Sequence, residues 1–139
     1  EAPGAGFAVV AEYRFTGGFG EPLNGVHLLM QDVAGRLLEA SYWMGGGRGD
    51  TNLVEIAVEQ GAERTVLLRE PARGDLFNDG NDHRAALVVC SGRAFFAIDG
   101  HLQGTAGLPW AFRPARPGLA ATRATVAVFG FDAAEWTDG

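Results

Sequence analysis

Five oxygen-bearing side chains crowd one short stretch: Asp75, Asn78, Asp79, Asn81 and Asp82. Carboxylates and amides are hard oxygen ligands, of the kind that Ca²⁺ gathers roughly six to eight at a time. The stretch therefore forms a candidate calcium loop, although its spacing is not that of an EF-hand. The same residues are good turn formers, so a solvated turn without an ion is the plainer alternative.

The other side chains that could do chemistry are aromatic. Trp43, Trp110 and Trp136 are the tryptophans, and Tyr42 precedes Trp43 beside the glycine-rich stretch 45–49. An aromatic plane can stack on the apolar face of a sugar ring while nearby polar groups take its hydroxyls. Tyr42, Trp43 and Trp110 are the candidate ligand-binding residues on that argument. Core filling, or plugging the end of a sandwich, is the alternative for each.

Catalytic signals are weak. Glu55 and Glu59 alternate with Val54, Ile56 and Val58, as an outward polar strand face would, and Glu12 and Glu39 are similar. No G-x-S-x-G, H-E-x-x-H or C-x-x-C motif occurs. His27, His83 and His101 have no zinc-ligand spacing, so they are expected to be surface or hydrogen-bonded residues. All 11 cationic residues are arginine, which excludes lysine chemistry. The one cysteine, Cys90, cannot form an internal disulfide, and its apolar surroundings suggest a buried small hydrophobe. Arg48-Gly49-Asp50 spells an integrin-binding tripeptide, a match that chance readily supplies.

The elements that must position these residues are short strands. The 21 glycines cluster between apolar runs, which favours strands and tight turns over a helix bundle. Phe7, Val9, Ala11, Tyr13 and Phe15 alternate with polar Glu12 and Arg14. Further strands are expected at 24–32, 36–43, 52–59, 64–69, 83–91, 93–99 and 122–131, with turns at Ala34-Gly35, Ser91-Gly92 and Asp99-Gly100. Residues 101–105 extend the sheet, whereas 107–121 reads as an irregular connection with a short helical turn near Trp110. The chain of 139 residues, 47% hydrophobic and 20% charged, is long enough for a real core and is treated as one domain over 1–139. Its net charge of −6 argues against nucleic acid, which needs a concentrated basic face. It holds no apolar run long enough for a transmembrane helix. Starting at Glu1 rather than Met, it is expected to be processed or cut from a longer protein.

The segment from Asn81 to Leu102, with His83 opening one strand and Asp99-Gly100 turning after the next, has a familiar shape. It resembles the W-H-x-V-x-V-x-V-x-G-x-x-x-x-Y-V-D-G-x-x-V hairpin of the concanavalin A-like jelly rolls, the superfamily of laminin-G-like and pentraxin-like domains. The opening strand through Ala11-Glu12-Tyr13-Arg14-Phe15, the Gly25-Val26-His27-Leu28 strand and the closing run from Thr125 to Asp132 are similar to theirs. Asp82 stands where those domains have tryptophan, and Ala97 where they have an aromatic. The resemblance implies an all-β fold, an antiparallel two-sheet β-sandwich of jelly-roll type. It implies no single function, since the superfamily holds glycan binders, protein binders, passive modules and glycosidases. The E-x-D-x-x-E strand of its laminarinase-like enzymes is missing here.

The expected function is a non-catalytic, extracellular or cell-surface binding or adhesion module for carbohydrate, with Ca²⁺ as a candidate cofactor. A structural module, packing against copies of itself or another protein domain as a homo-oligomer or partner, is the alternative. A glycoside hydrolase comes third.

Overall fold

A computed structural model describes residues 6–18, 24–44, 52–74 and 79–136. The Arg48-Gly49-Asp50 stretch and the loop residues Asp75 and Asn78 lie outside them. Ten strands follow one another: β1 (Gly6–Gly17), β2 (Gly25–Asp32), β3 (Leu37–Trp43), β4 (Leu53–Gln60), β5 (Glu63–Pro71), β6 (His83–Cys90), β7 (Arg93–Ile98), β8 (His101–Gly107), β9 (Pro114–Thr122) and β10 (Thr125–Trp136). They build two five-stranded antiparallel sheets, with orders β10-β1-β6-β7-β8 and β5-β4-β3-β2-β9. The expected all-β jelly-roll sandwich is thus the observed one. No helix occurs among the described residues, so none is long and apolar enough to cross a membrane.

Alternation explains how the sheets meet. Every second residue of β1, from Phe7 through Tyr13 to Phe15, is buried. Leu87 of β6 and Phe96 and Ile98 of β7 extend that inner face. Opposite lie Leu28 of β2, Leu38 of β3 and Ile56 of β4, all 1% exposed or less. Two tight turns set the registers of the β6–β7 and β7–β8 hairpins. Ser91 and Gly92 have φ of 51° and 75°, Asp99 and Gly100 of 52° and 82°. Positive φ at both central residues is what a two-residue turn matched to strand twist requires, and Gly supplies it without strain.

Several expectations need correction. Residues 107–121 are not wholly irregular: β9 pairs with β2 along the edge of its sheet, and no helical turn forms near Trp110. Pro114 and Pro117 hid this strand, because proline donates no ladder hydrogen bond and is confined to edges, which is where β9 lies. The last strand runs on to Trp136. Cys90 is only half-buried, because alternation along β6 turns Val89 inward and Cys90 away. Tyr42 is fully buried on the inner face, where Asn52 donates a hydrogen bond to its hydroxyl.

Phe96→Ala should cost about 3–5 kcal/mol in urea unfolding, whereas Cys90→Ser should cost under about 1 kcal/mol. Equal losses would mean that these two positions do not divide between core and surface as described.

Candidate functional site

The outer face of the β5-β4-β3-β2-β9 sheet carries a network of charged and polar side chains. Strand pairing sets it out in rows. Ala120, His27, Ser41, Glu55 and Arg69 lie opposite one another across all five strands. The neighbouring row is Thr122, Gly25, Trp43, Leu53 and Pro71. On the other side, Leu29, Glu39 and Ala57 align, followed by Leu37, Glu59 and Arg64. Residues two apart on one strand and level across the ladder are within side-chain reach.

Glu55 anchors the polar floor. It is 2% exposed, which no isolated carboxylate would tolerate. Arg64 reaches its Oε1 at 2.5 Å, and Arg69 donates to its Oε2 from Nε at 2.9 Å and also from Nη2. Arg64 also donates to Glu39 at 2.8 Å and lies 3.9 Å from Glu59. Burial pushes the Glu55 carboxyl upward, but the hydrogen bonds and charges of Arg64 and Arg69 reverse this and hold it below the usual glutamate range. Glu55 is therefore ionised at neutral pH and is no general acid.

Arg64 and Arg69 are five residues apart, so a regular strand would turn them to opposite faces. They share a face because β5 carries a bulge: Val66 pairs with Ala57 and Leu68 with Ile56, leaving Leu67 extra.

At the other end of the face stands an aromatic wall. His27 is 4% exposed, with Nδ1 2.7 Å from Ser41 Oγ and Nε2 2.8 Å from Thr122 Oγ1. Burial holds its pKa below the ordinary value, against the pull of Glu39 and Glu55, so the ring is neutral at neutral pH. Trp43 meets it edge-on with ring centres 4.7 Å apart. The indole crosses β2 at Gly25, where an added Cβ would come within 2.9 Å of Trp43 Cε3. Wall and floor enclose a hollow of about 540 Å³, lined also by Met44, Leu53 and Ala120.

Of the three candidate ligand-binding residues, Tyr42, Trp43 and Trp110, all among the described residues, Trp43 alone lines this hollow. Tyr42, its neighbour in the strand, faces the core. Trp110 sits by the β2–β3 turn, at the far end of β3. There Asp32 accepts from the backbone N–H groups of Ala34 and Arg36 and from Arg36 Nε, each at 2.9 Å. The Arg36 guanidinium lies 4.5 Å above the Trp110 ring, whose buried N–H has no hydrogen-bond partner among the described residues. Sequence reasoning took Glu39, Glu55 and Glu59 for an ordinary polar face and singled out neither arginine. Alternation showed the face, but only the ladder shows the row.

The acidic loop is tied down elsewhere. Asp79 accepts from the Asn81 backbone N–H at 3.0 Å and from its side-chain amide at 2.8 Å. His83 lies between Asp79 and Asp99, 2.6 Å from each. Asp82 is engaged by Arg14 at 3.2 Å. Among the described residues, no group of three or more His, Cys, Asp or Glu is arranged to hold a metal ion. As described, both Asp79 oxygens are engaged, one of them with His83, while Asp75 and Asn78 of the candidate calcium loop lie outside the described residues. Burial lowers the His83 pKa, but the hydrogen bonds its ring donates to Asp79 and Asp99 raise it overall, while Asp79 is held down at about 2.

No protein-family model matches this chain, and no curated protein matches it in sequence. Solved structures do match in shape. A carbohydrate-binding module, CBM66 from Bacillus subtilis, superposes with a TM-score of 0.67 at 15% identity, covering 96% of this chain and 77% of that one. Sheep galectin-11 gives 0.66 at 10% identity over 96% and 98% of the two chains. A tetrameric galectin from the ball sponge Cinachyrella gives 0.59 at 10% identity over 96% and 94%. At these identities the likeness shows the fold alone, an antiparallel two-sheet jelly-roll sandwich.

Glu55→Gln should lower stability by about 2 kcal/mol, through loss of charged hydrogen bonds to two arginines, read by urea unfolding at neutral pH. A neutral result would show the buried carboxylate to be dispensable. The Asp79–His83 tie has its own pH window. A raised histidine pKa stabilises fully below the unfolded value of about 6.5 and fades as pH rises through the folded value. A depressed aspartate pKa stabilises above its unfolded value and fades as pH falls towards about 2. The melting difference between the native chain and His83→Gln should therefore peak in mildly acidic solution and shrink above neutrality. A difference that grows with pH would contradict the tie.

Proposed function

We propose that this chain is a non-catalytic carbohydrate-binding module, and that its ligand lies in the hollow on the outer face of the β5-β4-β3-β2-β9 sheet. The observation that carries this reading is the pairing of one aromatic wall, Trp43, with a floor of fixed polar groups inside a single hollow. Sugar recognition needs both an apolar plane and donors and acceptors already held in place. The fold likeness to a carbohydrate-binding module and to galectins supports the same class.

The charges favour a neutral saccharide over an acidic one. Arg64 and Arg69 are the cations lining the hollow, and both are engaged by glutamates. A uronate or sulfate would have to compete with Glu55 for them. A hydroxyl asks less: the Arg69 side chain is 60% exposed and its Nη1 makes no hydrogen bond to Glu55. Glu39 and Glu59 supply acceptors, and the hydroxyls of Ser41 and Thr122 keep the His27 ring in place. Both carboxylate oxygens of Glu55 are held by arginines, Oε1 by Arg64 and Oε2 by Arg69, which leaves it ill placed to act as the acid or the nucleophile of a hydrolase. The reading places the module outside the cytoplasm, alone or within a larger secreted protein, where it meets polysaccharide.

Calorimetric titration against a panel of neutral and acidic oligosaccharides tests this. A neutral sugar should bind, and Trp43→Ala should weaken it at least tenfold, about 1.4 kcal/mol, with circular dichroism showing that the variant remains folded. Binding that survives Trp43→Ala, or a panel in which only sulfated or uronic sugars bind, would overturn the reading.

A further inference from the structure

Among the described residues, four strands form the unpaired edges of the two sheets, β10 and β8 of one and β5 and β9 of the other. An unpaired edge invites another strand, and proteins usually blunt it with charge, proline or brevity. Three of the four edges are blunted. β5 carries Glu63, Arg64, Arg69 and Glu70. β9 carries Pro114, Arg116 and Pro117. β8 is only seven residues long and bulged at Gln103. β10 is twelve residues long, and its run from Thr125 to Phe131 holds neither charge nor proline.

The same strand exposes what a sandwich should bury. Val128 and Phe131 pair with Tyr13 and Ala11, residues of the inner face, yet are 47% and 38% exposed. Phe129, the bulged residue between them and β1, is 53% exposed. Beside them, a groove of about 160 Å³ between β9 and β10 reaches the core side chains of Phe7 and Met30.

We infer that β10 is the self-association edge of this protein, and that its occupant is β10 of a second copy, paired antiparallel about a two-fold axis near Phe129 and Gly130. The strand is complementary to itself in that register. Val128 of each copy faces Phe131 of the other, so both exposed apolar residues are covered. Asp132 falls opposite Ala127 and Glu135 opposite Ala124, which keeps like charges apart. Exposed Arg123, at the turn before β10, falls opposite Trp136 of the second copy and next to Glu135 of the second copy. Arg123, Asp132 and Glu135 have no ion-pair partner within the chain among the described residues. A two-fold axis makes each of these contacts twice.

The pairing makes one continuous ten-stranded sheet from two five-stranded ones. The axis passes through both layers, so the outer faces of the β5-β4-β3-β2-β9 sheets stay on one side and their hollows open in the same direction. On a repetitive polysaccharide that arrangement adds avidity. This consequence rests on the carbohydrate reading, whereas the dimer does not.

Sedimentation velocity over a concentration series reaching the millimolar range tests the inference without any sugar. A reversible monomer–dimer equilibrium is expected. Phe131→Lys places a guarding charge on the edge and should raise the dissociation constant at least about tenfold. Arg123→Glu should weaken the dimer about threefold, the scale of an exposed ion pair, and adding Glu135→Arg in the same chain should restore it. Circular dichroism and melting confirm that each variant is folded. Phe129→Lys, where the residue lies over Arg14 rather than on the core side, is a second edge variant should Phe131→Lys fail to fold. A monomer at every concentration overturns the proposal, as does a dimer indifferent to these edge variants.

Discussion

A carboxylate taken out of water must be answered by opposite charge and hydrogen bonds, or it costs several kcal/mol. Glu55 imposes that constraint on this sandwich. Its answer comes from two arginines on the next strand, and they reach it because β5 bulges at Leu67. Arg64 then spans β4 to meet Glu39 on β3, so three strands are cross-linked by one network. The rigidity of the polar floor follows from this. Side chains that satisfy one another are already ordered before a ligand arrives, and less entropy is lost on binding.

The wall of the hollow has a different origin. Trp43 lies where it does because Gly25 leaves room for an indole across the neighbouring strand. His27 closes the gap between that indole and the floor, held by a hydroxyl at each nitrogen. Two other polar clusters serve the frame instead. Asp32, Arg36 and Trp110 brace the β2–β3 turn, and His83 ties Asp79 to the turn at Asp99. Candidate residues that look alike in a list of letters thus have separate work: one tryptophan faces the hollow and another supports a turn.

The shape this chain shares with a carbohydrate-binding module and with galectins is a scaffold, and scaffolds of this kind hold many activities. At identities of 10–15% no binding residue can be carried across. The case for a saccharide stands on what this sheet presents: an aromatic plane, arginines already engaged by glutamates and carboxylate acceptors beside them. The same scaffold leaves four edges to manage, and three of them are visibly managed by charge, proline or short length.

Much of the fold was legible in the sequence, because strand alternation and turn chemistry are local. Phe7 to Phe15 announced their buried face, and Ser91-Gly92 and Asp99-Gly100 announced their hairpins. The same alternation separates Tyr42 from Trp43, since adjacent residues in a strand face opposite sides. What the letters could not carry was register. β9 was hidden behind its prolines until β2 was seen to pair with it. The row of His27, Ser41, Glu55 and Arg69 draws on four strands, and its membership depends on which residue faces which. Arg64 and Arg69 even have the wrong spacing for a shared face, and a single extra residue in one strand brings them together. Local pattern decided which side chains leave the core, and tertiary pairing decided which of them meet, because a ladder is a relation between strands far apart in the chain.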